Sequence, residues 1–282
     1  MISDVAPPPV EELRRDLGLA AARCEPRAGG FASHCWLIDD QWFLKTRRAD
    51  SPPRDLRLLR LLRDRGLPVV PAVHEHELPT DDGRLYSVFP FVPGRHASDL
   101  DSAVVASALR HVHLTPFEGL DLPTRSLADE RLDDLRSNLD HPWIRDRASE
   151  LSAWLDRFDS VASRAVAVTA PVVLSHDDLG GHNLLLDESG NVAAMLDWDY
   201  ACVGPREHDL WMVIDEQRPS EFLHAYGASE FALSSELLEY ALLRRALGDL
   251  SARVCDELDR PGVDTWGFAR LARLDATLAL FS

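Results

Sequence analysis

Residues 171–199, PVVLSHDDLGGHNLLLDESGNVAAMLDWD, hold the side chains best suited to chemistry. His176, Asp177, Asp178 and Asn183 fall in one polar, glycine-containing segment, and Asp197 and Asp199 close the stretch. An apolar run over 172–174 leads in. Residues 183–187 read as a short strand, 188–191 as a turn and 192–196 as a second strand that ends on Asp197. Two strands joined by a tight turn deliver one amide and one carboxylate close together, beside a third acid. Oxygen ligands of that kind suit a divalent metal, with a spare carboxylate to orient a nucleophile. Phosphoryl transfer fits such a grouping, because there a protein mainly positions groups and stabilises charge.

The elements that must carry these residues divide in two. After Pro7-Pro8-Pro9 the pattern predicts a short peripheral helix over 8–22. Strands are expected at 23–27, 35–38 and 42–46, with a turn at 29–34 and a tighter one at Asp39-Asp40. Alternation puts Phe43 and Lys45 on one face. A leucine stripe at helical spacing predicts a helix within 51–66, closed by Gly66. Residues 67–77 and 85–89 read as further strands. The Pro-Gly segment 90–94 reads as a stiff connector, giving two domains, 1–92 and 93–282. Beyond it the pattern is helical: 101–113, 127–139, 142–166, 221–226, 235–258 and 265–281. In the 235–258 helix Leu237, Leu238, Ala241, Leu242, Leu250 and Val254 supply a core face. His111 and His113 are expected to pack or to face solvent, and Asp209 to satisfy backbone donors at a helix start.

Composition narrows the function classes. The chain has 282 residues and a formal net charge of −17, which argues against a protein that tracks nucleic-acid phosphates. Residues 1–95 are neutral and the excess acid lies beyond them. A neutral first third tolerates a polyanion such as ATP, and an acidic remainder either steers a cationic second substrate or only keeps the chain soluble. No apolar run approaches a membrane span and no signal peptide is evident, so a cytoplasmic location without membrane contact is expected. The four cysteines are widely spaced and read as reduced thiols. Of 30 basic residues 29 are arginine, and the exception is Lys45. A compact point charge on a narrow stem is what arginine cannot imitate.

The segments H-D-D-L-G-G-H-N (176–183) and L-D-W-D (196–199) resemble the H-x-D-x4-N and hydrophobic-D-x-[DE] elements of the aminoglycoside phosphotransferase family. The run from Leu196 to Trp211 is most similar to the spectinomycin branch, and the D-L-G-G to viomycin-type enzymes. The resemblance implies an α+β, bilobal protein-kinase-like fold with a small antiparallel-sheet lobe and a larger helical lobe. It implies Asp178 as the catalytic carboxylate and Asn183 with Asp197 as Mg²⁺ ligands. Lys45 would touch the α- and β-phosphates of ATP (GTP is the alternative), with Asp55, where the family usually has glutamate, as its partner. Gly30 and Ser33 would cover the phosphates, and the backbone from Phe89 through Phe91 to Val92 would receive the adenine. Asp177 stands where the family has glycine or serine and is expected to face solvent. Asp199, Trp198, Tyr200, Glu207, Asp215 and Glu216 are expected around the acceptor.

Two classes of function follow. One is a kinase of a small hydroxylated molecule, either a cationic antibiotic or a metabolite such as choline, homoserine or methylthioribose. The other is a non-catalytic nucleotide-binding module, whose mark would be loss of Lys45, Asp178, Asn183 or Asp197, and all four are present. The protein is expected to act as a monomer or homodimer.

Overall fold

A computed structural model describes residues 8–20, 23–27, 33–50, 53–125, 130–255 and 263–281. The chain forms two compact units. The first is Met1–Arg95 together with Leu185–Leu196, and the second is His96–Leu184 with Asp197–Ser282. The division falls three residues beyond the expected boundary at 92, and Leu185–Leu196 groups with the first unit rather than the second.

The first unit is built on an antiparallel sheet of five strands: β1 (Cys24–Arg27), β2 (His34–Ile38), β3 (Trp42–Arg48), β4 (Leu78–Pro79) and β5 (Arg84–Pro90), in the order β1-β2-β3-β5-β4. Asp39 and Asp40 both take positive φ, 50° and 54°, as a two-residue hairpin turn between β2 and β3 requires. Register places Leu44 between Trp36 and Val88. Those three, with Ile38 and Tyr86, pack against Leu13 of helix α1 (Val10–Leu17). Period-two alternation then sends the neighbouring residues to the other face. Lys45 lies there, opposite Cys35 and Ser87, one pair along from Phe43 and Phe89.

The expected strand over 67–77 is reduced to isolated bridges, Val69 with Met195 and Asp55 with His76. Two prolines, Pro68 and Pro71, lack the N–H groups that a continuous ladder needs. The second bridge is reinforced by a buried ion pair. Arg47 at the end of β3 donates from Nε to both oxygens of Glu77 at 3.1 and 3.0 Å, and Glu77 also accepts the Arg54 amide at 3.0 Å. Helix α2 (Arg57–Asp64) begins just after this tie.

A two-residue strand β6 (Arg95–His96) leads into the second unit. Its helices are α3 (Ser102–Leu114), α4 (Glu130–Ser137), α5 (Ala148–Ala165), α6 (Pro219–Tyr226), α7 (Ser235–Cys255) and α8 (Val263–Leu278). The six expected core positions of α7 are all buried. Strand β7 (Val172–Ser175) pairs antiparallel with a later strand, Cys202–Pro205, so that Ser175 faces Cys202. Between them the chain makes β8 (Leu184–Leu186) and β9 (Val192–Met195), and Cys202–Pro205 is therefore β10. The β8–β9 turn is closed by Asp187, whose Oδ1 accepts the Ser189 and Asn191 amides, with Gly190 at φ 81°. Residues 123–125 run beside β10, the Arg125 amide donating to Val203 O at 2.8 Å. Among the described residues no helix is long and apolar enough to cross a membrane.

Removing one member of a buried ion pair strands the other charge, at about 3–5 kcal/mol. Glu77→Ala should lower the chemical-denaturation stability by about that amount, whereas Glu11→Ala, at an exposed pair with Arg14, should change it by less than ~1 kcal/mol. Equal effects at the two sites would contradict the role given to the buried pair.

Candidate active site

The loop between β7 and β8 turns on one buried carboxylate. Asp209 lies in a 3₁₀ segment, Arg206–Asp215, and is fully buried. Its Oδ2 accepts the His176 amide at 2.9 Å and its Oδ1 the Asp177 amide at 2.5 Å. His113 of α3 adds a third bond, Nε2 to Oδ2 at 3.0 Å, and its Nδ1 lies 2.7 Å from the Tyr226 hydroxyl. Burial alone would raise the Asp209 carboxyl, but the hydrogen bond and charge of His113 and the backbone donor of His176 hold it below the usual range. An ionised carboxylate only accepts, so His113 Nε2 carries a proton. Two consecutive amides pinned to one carboxylate fix where the next side chain, Asp178, leaves the backbone.

Asp177 takes φ 65° to make this turn. Aspartate tolerates the left-handed region better than most residues because its short polar side chain bonds locally. The expectation that Asp177 faces solvent is corrected: it is 8% exposed, and its Oδ2 is bound by Arg125 Nη2. The turn points it inward, towards the guanidinium that the 123–125 segment delivers beside β10. Burial pushes its carboxyl up to about 6, against the nearby charge of Arg125. Trp211 Nε1 closes the turn on the Asp177 carbonyl at 3.4 Å.

Asp178 is the next side chain that this scaffold presents. Its Oδ2 meets Asn183 Nδ2 at 3.3 Å and His182 Nε2 at 3.5 Å, and its Oδ1 meets Arg245 Nη1 of α7 at 3.3 Å. Burial would raise this carboxyl, but the hydrogen bond from His182 and the charge of Arg245 hold it low. It is therefore an ionised acceptor. Asn183 Nδ2 also donates to the Asp178 carbonyl at 2.9 Å. With the nitrogen committed to the loop, the amide oxygen is the end left for a cation. Asp197 is exposed and turns at φ 58°.

No cluster of three or more His, Cys, Asp or Glu side chains forms a metal cage among the described residues. Magnesium does not need one, since it is held through one or two carboxylates and completes its shell with water and substrate phosphates. One amide oxygen and one carboxylate fit that pattern.

The expected acceptor residues sort differently. Asp199 and Tyr200 are exposed and line a pocket of ≈ 230 Å³ with Thr124, Arg125 and Cys202. Trp198 does not: it is buried and packs against the His176 ring at a tilt of 52°, centroids 4.5 Å apart. Three acids are already engaged. Glu207 is buried and accepts the Ser234 amide at 2.9 Å, Arg270 holds Asp215 from Nε at 2.8 Å, and Glu216 accepts from the Ser102 hydroxyl.

In the first unit, Lys45 and Phe89 share a sheet face, and Ser33 is half-buried at the foot of β2. Gly30 lies outside the described residues. The pairing of Asp55 with Lys45 is corrected. Asp55 precedes α2, caps the Arg57 amide at 2.9 Å and binds the Arg57 guanidinium at 2.5–3.0 Å. A side chain two residues away at a helix start outcompetes one on a strand. The Phe91 amide is also committed, donating to Gln41 O at 2.7 Å, so that N–H is not the donor to adenine within 89–92.

Tyr226, Arg125 and Arg245 were not anticipated, and His113, expected to pack or to face solvent, packs and also binds Asp209. For His113 a signal existed: it continues the buried stripe of Val105 and Leu109 at a spacing of four, so it needed a polar partner inside. Arg245 and Asp249 likewise form an i, i+4 pair on the edge of the α7 core face. Nothing local marks Arg125 or Tyr226.

A model of the phosphotransferase enzyme family matches residues 23–243. Among solved structures, a spectinomycin phosphotransferase complexed with ADP and spectinomycin is 17% identical, with a TM-score of 0.68 over 96% of both chains. The GDP complex of aminoglycoside 2'-phosphotransferase-IIIa is 13% identical, with a TM-score of 0.65 over 95% of this chain and 96% of that one. An aminoglycoside-3'-phosphotransferase of type VIII is 20% identical, with a TM-score of 0.60 over 85% and 99%. These likenesses establish the bilobal, kinase-like α+β fold. A comparison with curated protein sequences found no match.

Two predictions follow from the loop. Asp209→Ala orphans three buried donors, each worth about 1–3 kcal/mol, and should speed hydrogen exchange at the His176 and Asp177 amides before it does so in α7. Unchanged protection there would contradict the anchor. Asp177 is a carboxyl whose folded pKa, about 6, lies above its ordinary 3.8. The folded state thus binds more protons between those values, and its ionisation costs stability as pH rises through about 6. The wild-type Tm should gain on that of Asp177→Asn as pH falls from 7 to 5, and a gap that shrinks instead would contradict the burial argument.

Proposed function

Because the chain belongs to the phosphotransferase enzyme family, we propose that it is an ATP-dependent kinase that transfers the γ-phosphoryl group to a hydroxyl of a small molecule. The observation that carries this is Asp178: an ionised carboxylate, aimed by a pinned backbone, with an amide oxygen and an exposed carboxylate nearby in sequence to hold a cation. In this reading the first unit, with Lys45 on the α- and β-phosphates, binds nucleotide, and the second binds the acceptor. Asp178 accepts a hydrogen bond from the acceptor hydroxyl and turns a lone pair of its oxygen towards the γ-phosphorus. As the new P–O bond forms, the bond to the bridging oxygen of ADP breaks, and the hydroxyl proton passes to Asp178. Asn183 and Asp197 would hold Mg²⁺, which offsets charge on the phosphate oxygens. GTP is an alternative donor, supported by the GDP complexes of related structures.

For the acceptor, the related structures carry spectinomycin, gentamicin and kanamycin, which supports a cationic antibiotic and a role in resistance. A hydroxylated metabolite is the second reading. It is favoured by the commitment of Glu207, Asp215 and Glu216 to internal partners, which leaves fewer carboxylates for a polycation. Asp178→Ala should reduce transfer by about 10²–10⁴-fold while ATP affinity, read by isothermal titration, stays within about twofold of the wild type, since uniform binding is untouched. Full turnover in that variant would overturn the assignment. Asp197→Ala should abolish the magnesium dependence of nucleotide affinity.

A further inference from the structure

The catalytic carboxylate is not alone on its acceptor side. Arg245 reaches it from α7, and the arginine is itself held in place. Its guanidinium lies 4.0 Å from the centroid of the Trp211 ring, a geometry that stacks cation on π-face. Its Nε is 3.4 Å from Asp249. Asp249 is bound in turn by Arg270, and Arg270 by Asp215. Arg270 also lies 5.2 Å over Trp211. The result is a ladder of alternating charge, Asp178–Arg245–Asp249–Arg270–Asp215, braced by one indole and spanning α7, α8 and the 206–215 segment.

The ladder spends only part of the Arg245 fork. Nη1 bonds Asp178 Oδ1, and Nε makes no hydrogen bond. Nη2 has no hydrogen-bond partner among the described residues, and the side chain is 32% exposed. A planar guanidinium with one arm on a carboxylate and donors to spare suits a second oxygen in the same plane. An ammonium in that place would meet a fixed positive charge.

We propose that Arg245 is a contact residue of the acceptor site: it aims Asp178 and donates to an oxygen on the acceptor, so that the phosphorylated hydroxyl has an oxygen function (hydroxyl, carbonyl or carboxylate), not an ammonium, on the adjacent carbon. This rests on the kinase reading above and narrows its substrate class. It accommodates an aminocyclitol or sugar diol as well as a metabolite, because it constrains only the neighbour of the reacting hydroxyl.

The test uses two-carbon probes that share one hydroxyl, ethylene glycol and ethanolamine, with Mg-ATP and the full-length protein. The readout is ADP release above the rate with water alone. Wild type should be accelerated by ethylene glycol and not by ethanolamine. Arg245→Met should lose about 10²-fold of that rate, the scale expected when a reacting group is misplaced, with nucleotide affinity unchanged. Added guanidinium chloride should restore part of the loss, and Arg245→Lys should fall between the two. Equal acceleration by both probes, no acceleration by ethylene glycol, or a full rate in Arg245→Met would overturn the inference. So would a loss in Arg245→Met that guanidinium leaves untouched. Should Arg245→Met fail to fold, Asp249→Asn tests the same ladder one step away and should raise the glycol concentration needed for half-maximal rate. Absence of any ADP release by the wild type, with water or probe, would instead overturn the kinase reading itself.

Discussion

The structure of the second unit depends on the Asp209 carboxylate. It takes two successive amides of the loop between β7 and β8 and one imidazole donor, in a setting with no exposed surface. A buried charge survives there only because it is fully hydrogen-bonded. That requirement reaches outward. His113 must present Nε2, so Tyr226 must serve Nδ1, so α3 and α6 must sit where their side chains meet. It also reaches forward along the chain. With His176 and Asp177 amides pinned, the left-handed turn at Asp177 follows, and Asp178 is set to meet Asn183, His182 and Arg245. The point at which the Asp178 side chain leaves the chain is thus set by the backbone.

Charge in this protein is a matter of position rather than sum. The sequence carries a large acidic excess beyond residue 95, and that invites a picture of a cleft lined with free carboxylates. Inside the unit, acids are consumed: Asp177 by Arg125, Asp215 and Asp249 by Arg270, Glu207 by a backbone amide. What remains beside Asp178 is a cation. Arginine suits this use because its fork serves two acids at once, as Arg270 does, or an acid and a ligand. The scarcity of lysine sharpens the same point, since the one lysine sits at mid-strand on the face of Phe89, away from the packed core.

The parts of the fold legible in the sequence were those governed by local periodicity. Strand alternation placed Lys45 correctly relative to Phe43, and the α7 stripe gave its core positions one by one. The H-x-D-x4-N spacing was enough to find the loop and the family. What escaped was tertiary. The family resemblance pairs Asp55 with Lys45, but an arginine two residues away and a helix start decide its partner. Asp177 looked like an extra surface acid, because nothing near it in sequence announces the Arg125 that covers it from 52 positions away. Trp198 and Glu207 looked like pocket residues because aromatic and acidic side chains are what pockets use; the core used them first. His113 does pack, and its burial was readable from a polar residue in phase with a buried stripe; only its partners were not.

On the proposed reading, Asp178 orients an acceptor hydroxyl for transfer of the γ-phosphoryl group. The most direct measurement is mass spectrometry after incubation of the wild-type protein with Mg-ATP and a panel of spectinomycin, kanamycin, gentamicin, choline and homoserine. The account predicts an acceptor that gains the mass of one phosphoryl group in step with ADP formation. ATP that is bound yet never transferred to any hydroxyl, with ADP formation no faster than without protein, would contradict it.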